Sequence, residues 1–595
     1  MKETITQRVG SLRAYLHHKG LAAYIFPSTD PHGSEYPPAH WKTREWISGF
    51  DGSAGTAVVT LDDAALWTDS RYFIAAANQL QGTPFRLMKE RVEGTPSIAE
   101  WLADVLPADS RVGIDGWTSS TAEVDLMATG LMRHGIALEV TENPADTLWA
   151  NRPALPNDQV CIQPLRYAGR DVAEKLSLLR TDLSTREADG LVLTALDEIA
   201  WALNLRGTDV HCTPVFVSYM LITPDRCALY INKVKLTDEV SAHLAKAGVR
   251  IRDYGDIIPD LRQSGIRRML LDPAGVNFTL RHNLPEGCAV IEAPSPAAMR
   301  KAVKCPAEVE GFRRAMLRDG VAMVKFLRWL KPAVEDGGQT ELSVCRKLAA
   351  LRAEQDLYCG ESFDTIAGYA AHGAIVHYEP TPETDIPLRP KGLLLLDSGA
   401  QYEDGTTDLT RTIALGPVTE EERRDYTLVL KGHIRLALAK FPQGCSGTQL
   451  DVCARYAMWQ EAINFLHGTG HGVGSRLCVH EGPHQIRMNY MPAPLQPYMT
   501  VTNEPGIYKE GRHGVRIENT QIILPYKETE FGTFLQFDPL TLCPIDRVAI
   551  DWPLLGAEET AWLNSYHRRV YEQLHPLLDD EHRAWLWEAT RPHYF

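Results

Sequence analysis

The chain has 595 residues, of which 44% are hydrophobic, and its 76 acidic residues outnumber its 61 basic residues, for a formal net charge of −15. At about 100–200 residues per domain, this length predicts roughly three to five domains with sizeable cores. The acidic excess argues against a nucleic acid or an anionic membrane surface as a partner.

The sequence shows no signal for export or membrane insertion. Residues 1–7 lack the apolar core of a signal peptide, and no apolar run is long enough to cross a bilayer. The eleven cysteines include no Cys-x-x-Cys pair, so neither a zinc ribbon nor a disulfide framework is predicted. We therefore expect a cytoplasmic protein.

The first half of the chain predicts two α/β domains. In residues 1–150, helical patterns alternate with short β-rich runs such as 23–26 and 56–59. A segment containing Pro and Asn, 143–164, ends this domain. In the second domain, residues 165–300, the run 190–193 followed by 197–207 loosely parallels 24–26 followed by 30–49, which indicates an ancient duplication.

The second half, residues 301–595, predicts a separate domain. Pro306 suits a helix start. A core-facing amphipathic helix should follow, because apolar residues recur at helical spacing at Phe312, Met316, Met323, Phe326, Leu327 and Leu330. Residues 393–524 are rich in predicted strands, and the segment from Trp562 onward predicts a carboxy-terminal helical extension.

Two acidic residues of the strand-rich region are predicted to lie together. Asp397 closes the apolar run 393–396, and Asp408 follows eleven residues later, with the turn 403–405 between them. Two short strands joined by that turn would form a hairpin and bring both carboxylates to one place.

Three further residues complete a set of metal ligands: His471 in the Gly-rich segment 467–474, then Glu504 and Glu518. Burying four carboxylates costs more than a fold tolerates unless cations neutralise them. Two divalent ions would balance the four charges, and in two-metal hydrolases a water bridged by ions roughly 3.5–4 Å apart is the nucleophile. Oxygen donors with one imidazole suit Mn²⁺ first, with Zn²⁺ or Co²⁺ as alternatives.

Structural interpretations compete at each position. Asp397 and Asp408 also suit strand-end turns, and Glu518 suits a salt bridge with Arg516, since paired or solvated acids are common. The Gly-rich segment resembles a phosphate loop but lacks the Gly-Lys-Ser/Thr ending. Five such residues together favour the metal site.

Several segments resemble the metallopeptidases of the pita-bread fold, and more closely the three-domain, cytosolic type of Xaa-Pro aminopeptidase (aminopeptidase P). The catalytic motifs are Leu396-Asp397-Ser398-Gly399-Ala400, Thr407-Asp408-Leu409-Thr410-Arg411, His467-Gly468-Thr469-Gly470-His471-Gly472-Val473-Gly474, Val479-His480-Glu481-Gly482-Pro483, Asn503-Glu504-Pro505-Gly506 and Arg516-Ile517-Glu518-Asn519. The amino-terminal motifs include Ser48-Gly49-Phe50-Asp51-Gly52-Ser53-Ala54-Gly55, Trp67-Thr68-Asp69-Ser70-Arg71-Tyr72-Phe73 and Thr194-Ala195-Leu196-Asp197-Glu198-Ile199-Ala200-Trp201. The resemblance covers essentially the whole chain.

The resemblance implies a mixed α/β and α+β architecture, with two creatinase-like α/β domains (1–150 and 165–300) before a pita-bread catalytic domain (301–595). It implies removal of the first residue from peptides with proline at the second position, by a hydroxide that bridges the two metal ions. A homodimer is also implied.

The resemblance also assigns residues outside the ligand set. His377 and His480 match paired histidines that contact substrate and move protons, a task suited to imidazole near neutral pH. Glu504 would be a general base as well as a ligand. His467 and Tyr508 are expected to bind substrate, together with Arg516, which we expect to orient an acidic ligand.

For two of these residues a structural role remains open. His377 suits a hydrogen-bonded core histidine, and Tyr508 suits a packed aromatic on a strand. His372, His433 and His484 are interpreted as structural.

Two alternatives to the aminopeptidase remain. A prolidase-like dipeptidase would use the same five ligands but would cap the substrate carboxylate differently. A non-enzymatic binding module would keep the fold and lose ligands, whereas all five are present here.

Overall fold

The computed structural model describes residues 4–594. The chain divides into two compact units: Met1–Gln163 with Arg170–Ala298, and Pro164–Gly169 with Met299–Phe595. Within residues 4–594, no helix combines the length and the apolar character needed to cross a bilayer.

The first unit contains two six-stranded sheets and a short strand pair. Its strands are β1 Ala23–Phe26, β2 Thr56–Thr60, β3 Ala64–Thr68, β4 Arg86–Lys89, β5 Arg111–Ile114, β6 Ala137–Val140, β7 Cys161–Ile162, β8 Gly190–Leu193, β9 Leu205–Arg206, β10 Tyr219–Ile222, β11 Cys227–Tyr230, β12 Val249–Arg252, β13 Arg268–Leu271 and β14 Ala289–Glu292.

The two sheets share one topology. Their orders are β4-β3-β2-β1-β5-β6 and β12-β11-β10-β8-β13-β14. When the six strands of each sheet are counted along the chain, the first pairs antiparallel with the second and parallel with the fifth. The third and fourth pair parallel with each other. This repetition is what the predicted duplication requires.

The α-helices before residue 305 belong to the first unit, except that the one at Leu165–Ala168 lies in the second and the one at Pro296–Ala302 crosses the division after Ala298. They are α1 Ile5–Lys19, α2 Thr43–Ser48, α3 Phe73–Gln79, α4 Ile98–Val105, α5 Thr121–Met132, α6 Ala145–Leu148, α7 Leu165–Ala168, α8 Val172–Thr185, α9 Leu196–Leu203, α10 Asp238–Lys246, α11 Ile257–Arg262, α12 Phe278–Arg281 and α13 Pro296–Ala302.

The helices after residue 305 all belong to the second unit, and the predicted amphipathic helix is the first of them. They are α14 Pro306–Asp336, α15 Glu341–Ala353, α16 Glu420–Ala437, α17 Gly447–Trp459, α18 Trp552–Leu555, α19 Ala557–Leu574 and α20 Asp580–Thr590. Pro306 occupies the first turn of α14, and five of the six predicted apolar positions are buried, while Leu327 is partly buried. The predicted helical extension corresponds to α19 and α20.

The remaining strands of the second unit form small sheets. They are β15 Tyr358–Glu361, β16 Ile366–Tyr369, β17 Leu393–Ser398, β18 Ala400–Tyr402, β19 Gly405–Thr406, β20 Leu409–Ala414, β21 Lys440–Pro442, β22 Gly470–Gly472, β23 Glu481–Ile486, β24 Thr500–Asn503, β25 Gly506–Lys509, β26 His513–Arg516, β27 Asn519–Thr529 and β28 Gly532–Pro539. The sheet orders are β15-β18-β19, β16-β17-β20, β21-β28-β27-β24, β22-β23 and β25-β26.

The hairpin predicted around residues 403–405 differs in detail from the expectation. That turn joins β18 to β19, whereas the long pairing runs between β17 and β20. The chain changes sheet at Gly399, where a Cβ atom would lie 2.0 Å from the Thr407 carbonyl oxygen. The two acidic residues are still brought together, because β17 and β20 remain antiparallel neighbours.

Candidate metal centre

The β17–β20 pair supplies two carboxylates. Asp397 is on β17, opposite Thr410 of β20, and Asp408 immediately precedes β20. The four leucines before Asp397 are almost fully buried, which anchors the strand that carries it. Both carboxylates are therefore held by interior backbone.

The β24–β27 pair supplies two more. Asn503 and Asn519 face each other across these strands. Glu504 directly follows Asn503 and Glu518 directly precedes Asn519. The two glutamates consequently leave the same end of one strand pair.

His471 enters from β22. The Glu504 backbone N–H donates to the Thr469 carbonyl (2.8 Å), which keeps β22 beside β24. A Cβ atom on Gly470 would lie 1.9 Å from the Thr502 carbonyl oxygen, and one on Gly472 would lie 2.4 Å from that of Glu481. Only glycine permits this approach on either side of His471.

The side chains converge. The Nε2 atom of His471 lies 3.5 Å from Oδ2 of Asp408 and 3.5 Å from Oε1 of Glu504. One ligand atom each from Asp408, His471 and Glu518 lies within 4.8 Å of the others. The His471 Nδ1 atom is 2.9 Å from the Gly472 carbonyl oxygen and can donate to it, which directs Nε2 at the acids.

The electrostatics favour cations. Burial raises the pKa of Asp408 and of Glu518 well above the usual range, and repulsion from neighbouring carboxylates adds to it. Burial, opposed by Arg516 and reinforced by Asp397, raises the pKa of Glu504 to about 7. Positive charge between these groups would relieve the repulsion.

Asp397 provides a specific test of fit for a metal ion. Its Oδ2 atom accepts from Arg516 Nη2 (2.7 Å), whereas its Oδ1 atom is buried without a hydrogen-bond partner. Glu518 Oε2 accepts from the Thr410 hydroxyl (2.8 Å). An orphaned carboxylate oxygen beside further acids and an imidazole is a donor set that fits divalent metal ions.

The site is accessible from one side. The side chains of His471 and Glu504 are 13% and 18% exposed, whereas that of Asp408 is 5% exposed. A reactant would therefore approach on the His471 and Glu504 side.

Three of the predicted substrate-binding residues form a chain beside the acids. Arg516 Nη1 donates to the Tyr508 hydroxyl (2.9 Å), which lies 2.8 Å from His467 Nε2. Arg516 is 1% exposed and pairs with Asp397, not with Glu518 as the salt-bridge alternative required. Tyr508 is therefore hydrogen-bonded at the edge of the centre, as well as packed on β25.

His480 also lies at the centre. Its ring is 4.3 Å from that of His471, edge to face. Its electrostatic effect lowers the pKa values of Asp408 and Glu504 and so offsets a part of the rise that burial causes. The next residue, Glu481, is buried and accepts from Lys301 Nζ (2.6 Å) and from Lys304 Nζ. This pairing ties the start of β23 to the segment where α13 ends and α14 has not yet begun.

His377 is placed less directly. It lies half-buried in a turn after the 3-10 helix Ala370–Ala374. Its neighbour Tyr378 packs against Ile366 and Leu395, on the strand pair that carries Asp397. Its role at the centre stays a prediction.

Sequence reasoning did not identify the residues that support the ligands. The hydroxyl groups of Thr410 and Thr502 contact Glu518 and Glu504, at 2.8 and 3.4 Å. Their signal was the alternation of threonines at 410 and 412 in β20 and at 500 and 502 in β24, which places the hydroxyls of each pair on one face of its strand. The contacts of His433 with Asn503 and Asn519 left no local signal.

Four segments match known protein families. Residues 310–525 match metallopeptidase family M24, and 533–593 match the C-terminal region of peptidase_M24. Residues 8–148 and 151–308 each match a creatinase/prolidase N-terminal domain.

Relatives match over nearly the full length. Aminopeptidase P2 of Arabidopsis thaliana is 39% identical, over 99% of this chain and 89% of that protein. Xaa-Pro aminopeptidase 1 of Dictyostelium discoideum is 38% identical, over 99% and 97%. The crystal structure of X-prolyl aminopeptidase from Caenorhabditis elegans, described as a cytosolic enzyme with a di-nuclear active site, superposes with a TM-score of 0.95 at 34% identity, covering 99% of this chain and 100% of that one.

The chain belongs to the Xaa-Pro aminopeptidases of metallopeptidase family M24. The predicted enzyme class is thereby confirmed. So is the predicted fold, two creatinase-like N-terminal domains before a pita-bread domain. The three relatives described above match over nearly the full length and are named as aminopeptidases, which favours this activity over the dipeptidase and the binding module.

Proposed function

We propose that this aminopeptidase uses two divalent metal ions, held by Asp397, Asp408, His471, Glu504 and Glu518, to release the first residue from peptides with proline in second position. The observation that carries the proposal is the convergence of Asp408, His471 and Glu518 within 4.8 Å. Mn²⁺ is our first choice of metal, with Zn²⁺ or Co²⁺ as alternatives, because oxygen donors dominate the set.

The charge balance supports a site for an anionic nucleophile. Four carboxylates carry four negative charges, two divalent ions four positive ones, and Arg516, paired with Asp397, adds one more. The resulting net charge of plus one favours hydroxide over neutral water. When bound, the metal ions would lower the pKa of water and polarise the carbonyl under attack.

Glu504 is the side chain we assign to the proton of the attacking water. Its side chain is the more exposed of the pair it forms with His471, and its Oε1 atom lies 3.5 Å from His471 Nε2. Water adds to the carbonyl carbon, the carbon–nitrogen bond breaks, and the proton must reach the proline nitrogen, which leaves as an amine. Glu504 would carry it, with His480 and His377 holding the substrate and assisting the transfer.

Proline in second position sets a specific requirement. An Xaa-Pro bond is a tertiary amide without an N–H, so the site cannot bind the substrate through that donor. A carboxylate of the acidic cluster would instead accept a hydrogen bond from the amino group of the first residue. His467, Tyr508 and Arg516 form the hydrogen-bonded wall beside it.

The rest of the proposal concerns organisation. We divide the chain into three domains, 1–150, 165–300 and 301–595, supported by the two repeated six-stranded sheets of the first unit. We also propose a cytoplasmic homodimer that acts on peptides, supported for the compartment by the nematode relative described as cytosolic.

Metal analysis of isosteric variants tests the ligand set. Asp408→Asn and Glu518→Gln should each lose at least one Mn²⁺ per chain and nearly all turnover, because each removes a charged donor. Asp404→Asn is the matched control, since Asp404 is also fully buried but pairs with Arg314 and Arg318. It should keep both ions. Wild-type turnover and metal content in the Asp408 or Glu518 variant would refute the assignment.

Substrate comparison tests the specificity. The enzyme should cleave Xaa-Pro-Yaa, including Xaa-Pro-Pro, fail on amino-acetylated versions, and cut Xaa-Ala-Yaa more slowly by about one to two orders of magnitude. Alanine brings an N–H with no acceptor prepared, which costs roughly 1–3 kcal/mol. Cleavage of Xaa-Pro dipeptides alone would establish the dipeptidase instead, and equal rates on Xaa-Pro-Yaa and Xaa-Ala-Yaa would exclude proline selectivity.

A further inference from the structure

His433 occupies an unusual position in the second unit. It lies on α16 and is fully buried, yet both of its ring nitrogens are hydrogen-bonded. Nδ1 is 3.0 Å from the Asn503 carbonyl oxygen, and Nε2 is 3.2 Å from the Asn519 side-chain nitrogen. Asn503 Nδ2 also donates to the His433 carbonyl (2.8 Å).

These two asparagines are the last facing pair of β24 and β27. β24 ends and β27 begins at this pair. The adjacent residue outside each strand is a proposed ligand, Glu504 after β24 and Glu518 before β27. A single imidazole is therefore hydrogen-bonded to both asparagines of the strand pair that carries the two glutamates. A relative shift of Asn503 and Asn519 would change the distance between the carboxylates of Glu504 and Glu518.

The geometry fixes the state of the ring. The Asn503 carbonyl can only accept, so Nδ1 donates, and Nε2 accepts from the Asn519 amide. Burial, with Arg411 nearby, lowers the pKa of His433 to about 3, which keeps the ring in this neutral donor-and-acceptor form.

Arg411 extends the network to the Glu518 side. Its guanidinium donates to the Asn519 side-chain oxygen (2.8 Å) and to the Glu518 carbonyl (2.5 Å). It also donates to the Tyr566 hydroxyl of α19 (3.0 Å). The Asn519 amide is thus held at both ends, by Arg411 and by His433, so its orientation is determined.

We propose that His433 is a positioning residue that sets the relative placement of Glu504 and Glu518 and thereby the affinity of the metal centre. The inference rests on the proposed function, because it takes these two glutamates as ligands. His433 itself touches neither the ligands' carboxylates nor substrate.

Three substitutions separate its two contacts. His433→Asn keeps a donor near the position of Nδ1, His433→Gln keeps an acceptor near that of Nε2, and His433→Phe removes both while filling the space. Supporting contacts of this kind typically contribute about 10–100-fold in metal affinity. We expect His433→Phe to weaken Mn²⁺ binding by about that factor, and the Asn and Gln variants to weaken it less.

The readout is Mn²⁺ binding to the full chain, measured by competition with a chelator, together with the rise in unfolding temperature that Mn²⁺ produces. His32→Phe is the matched control. His32 is also buried, with ring nitrogens 3.1 Å from the Thr194 carbonyl and 2.9 Å from the Tyr254 hydroxyl, but it belongs to the first unit. It should lower the unfolding temperature and leave the Mn²⁺ affinity unchanged.

Wild-type Mn²⁺ affinity in folded His433→Phe would overturn the inference, as would an equal loss of affinity in His32→Phe. If His433→Phe does not fold, wild-type affinity in both the Asn and Gln variants would overturn it equally. Asp408→Asn, measured in parallel, distinguishes a failure of the proposed metal site from a failure of the positioning role of His433. Unchanged Mn²⁺ binding there would refute the proposed metal site, whereas loss there with no effect at His433 would refute only the positioning role.

Discussion

At the residue scale, His480 distinguishes substrate handling from metal binding. Its ring packs edge to face on that of His471, 4.3 Å away. His480→Ala should lower turnover by about 10²–10⁴-fold, the usual contribution of an acid–base group, and retain both metal ions. Steady-state kinetics with metal analysis measure this.

His243→Ala provides the control for that prediction, because His243 bonds only to the Leu203 carbonyl among the contacts described, in the first unit. It should keep wild-type turnover. Loss of metal together with activity in His480→Ala would make His480 a ligand or a structural support. His377→Ala is expected to behave as His480→Ala does, and wild-type turnover there would remove His377 from the mechanism.

The candidate site residues were predictable from the sequence where local motifs were strong. Their hydrogen-bond partners were not predictable. Arg516 was expected to orient an acidic ligand, and the acid it pairs with is Asp397, a proposed ligand 119 residues away in the chain. The contacts of His433 with Asn503 and Asn519 span 70 and 86 residues. Such pairings depend on how strands and helices pack, and no local pattern encodes them.

At the element scale, the β25–β26 hairpin carries Tyr508 and Arg516 and is fastened to α16. Asp425 of α16 is fully buried and accepts from Lys509 Nζ (2.5 Å) and lies 2.9 Å from His513 Nε2. Lys509 and His513 face each other across the hairpin. One carboxylate therefore holds both strands.

This carboxylate makes stability depend on pH. Burial alone would raise the pKa of Asp425, but hydrogen bonds from His513, Lys509 and Arg424 lower it to about 2 from 3.8. Because the folded pKa is the lower one, the stabilisation is present above about pH 4 and is lost as the pH falls toward about 2. It amounts to about 2 kcal/mol at most.

Asp425→Asn should therefore unfold more easily than wild type at pH 7, and the difference in free energy of unfolding should narrow below about pH 4. Urea unfolding across this range measures it. Glu354→Gln, which removes one partner of the exposed Lys325 pair, should change stability by less than about 1 kcal/mol at any pH. Equal stability of Asp425→Asn and wild type at pH 7 would show that the carboxylate does not fasten the hairpin.

The pairing of short strands is a second feature that could not be predicted from the sequence. The strands at 23–26, 56–60 and 190–193 and helix α14 were predictable from periodicity and Pro306. The turn 403–405 joins two paired strands, as predicted, but these are β18 and β19, whereas Asp397 and Asp408 lie at the longer pair of β17 and β20. The short segments β18 and β19 belong to a sheet with β15, and only the tertiary fold determines that exchange.

At the scale of the whole molecule, the five proposed ligands all belong to the second compact unit. A ligand that binds one unit stabilises that unit against unfolding by mass action. The two units should consequently respond differently to metal.

Calorimetry of the full chain should resolve this difference. We expect two unfolding transitions, of which Mn²⁺ raises only one, since a multidomain chain need not unfold in one step. With free Mn²⁺ at about 100 times the dissociation constant of each site, the stabilisation of that transition should be about 2.7 kcal/mol for each bound ion. Asp408→Asn should abolish the shift and leave the other transition in place. A single transition throughout would show that the units unfold together, and an equal rise of two transitions would show that metal binding stabilises both units.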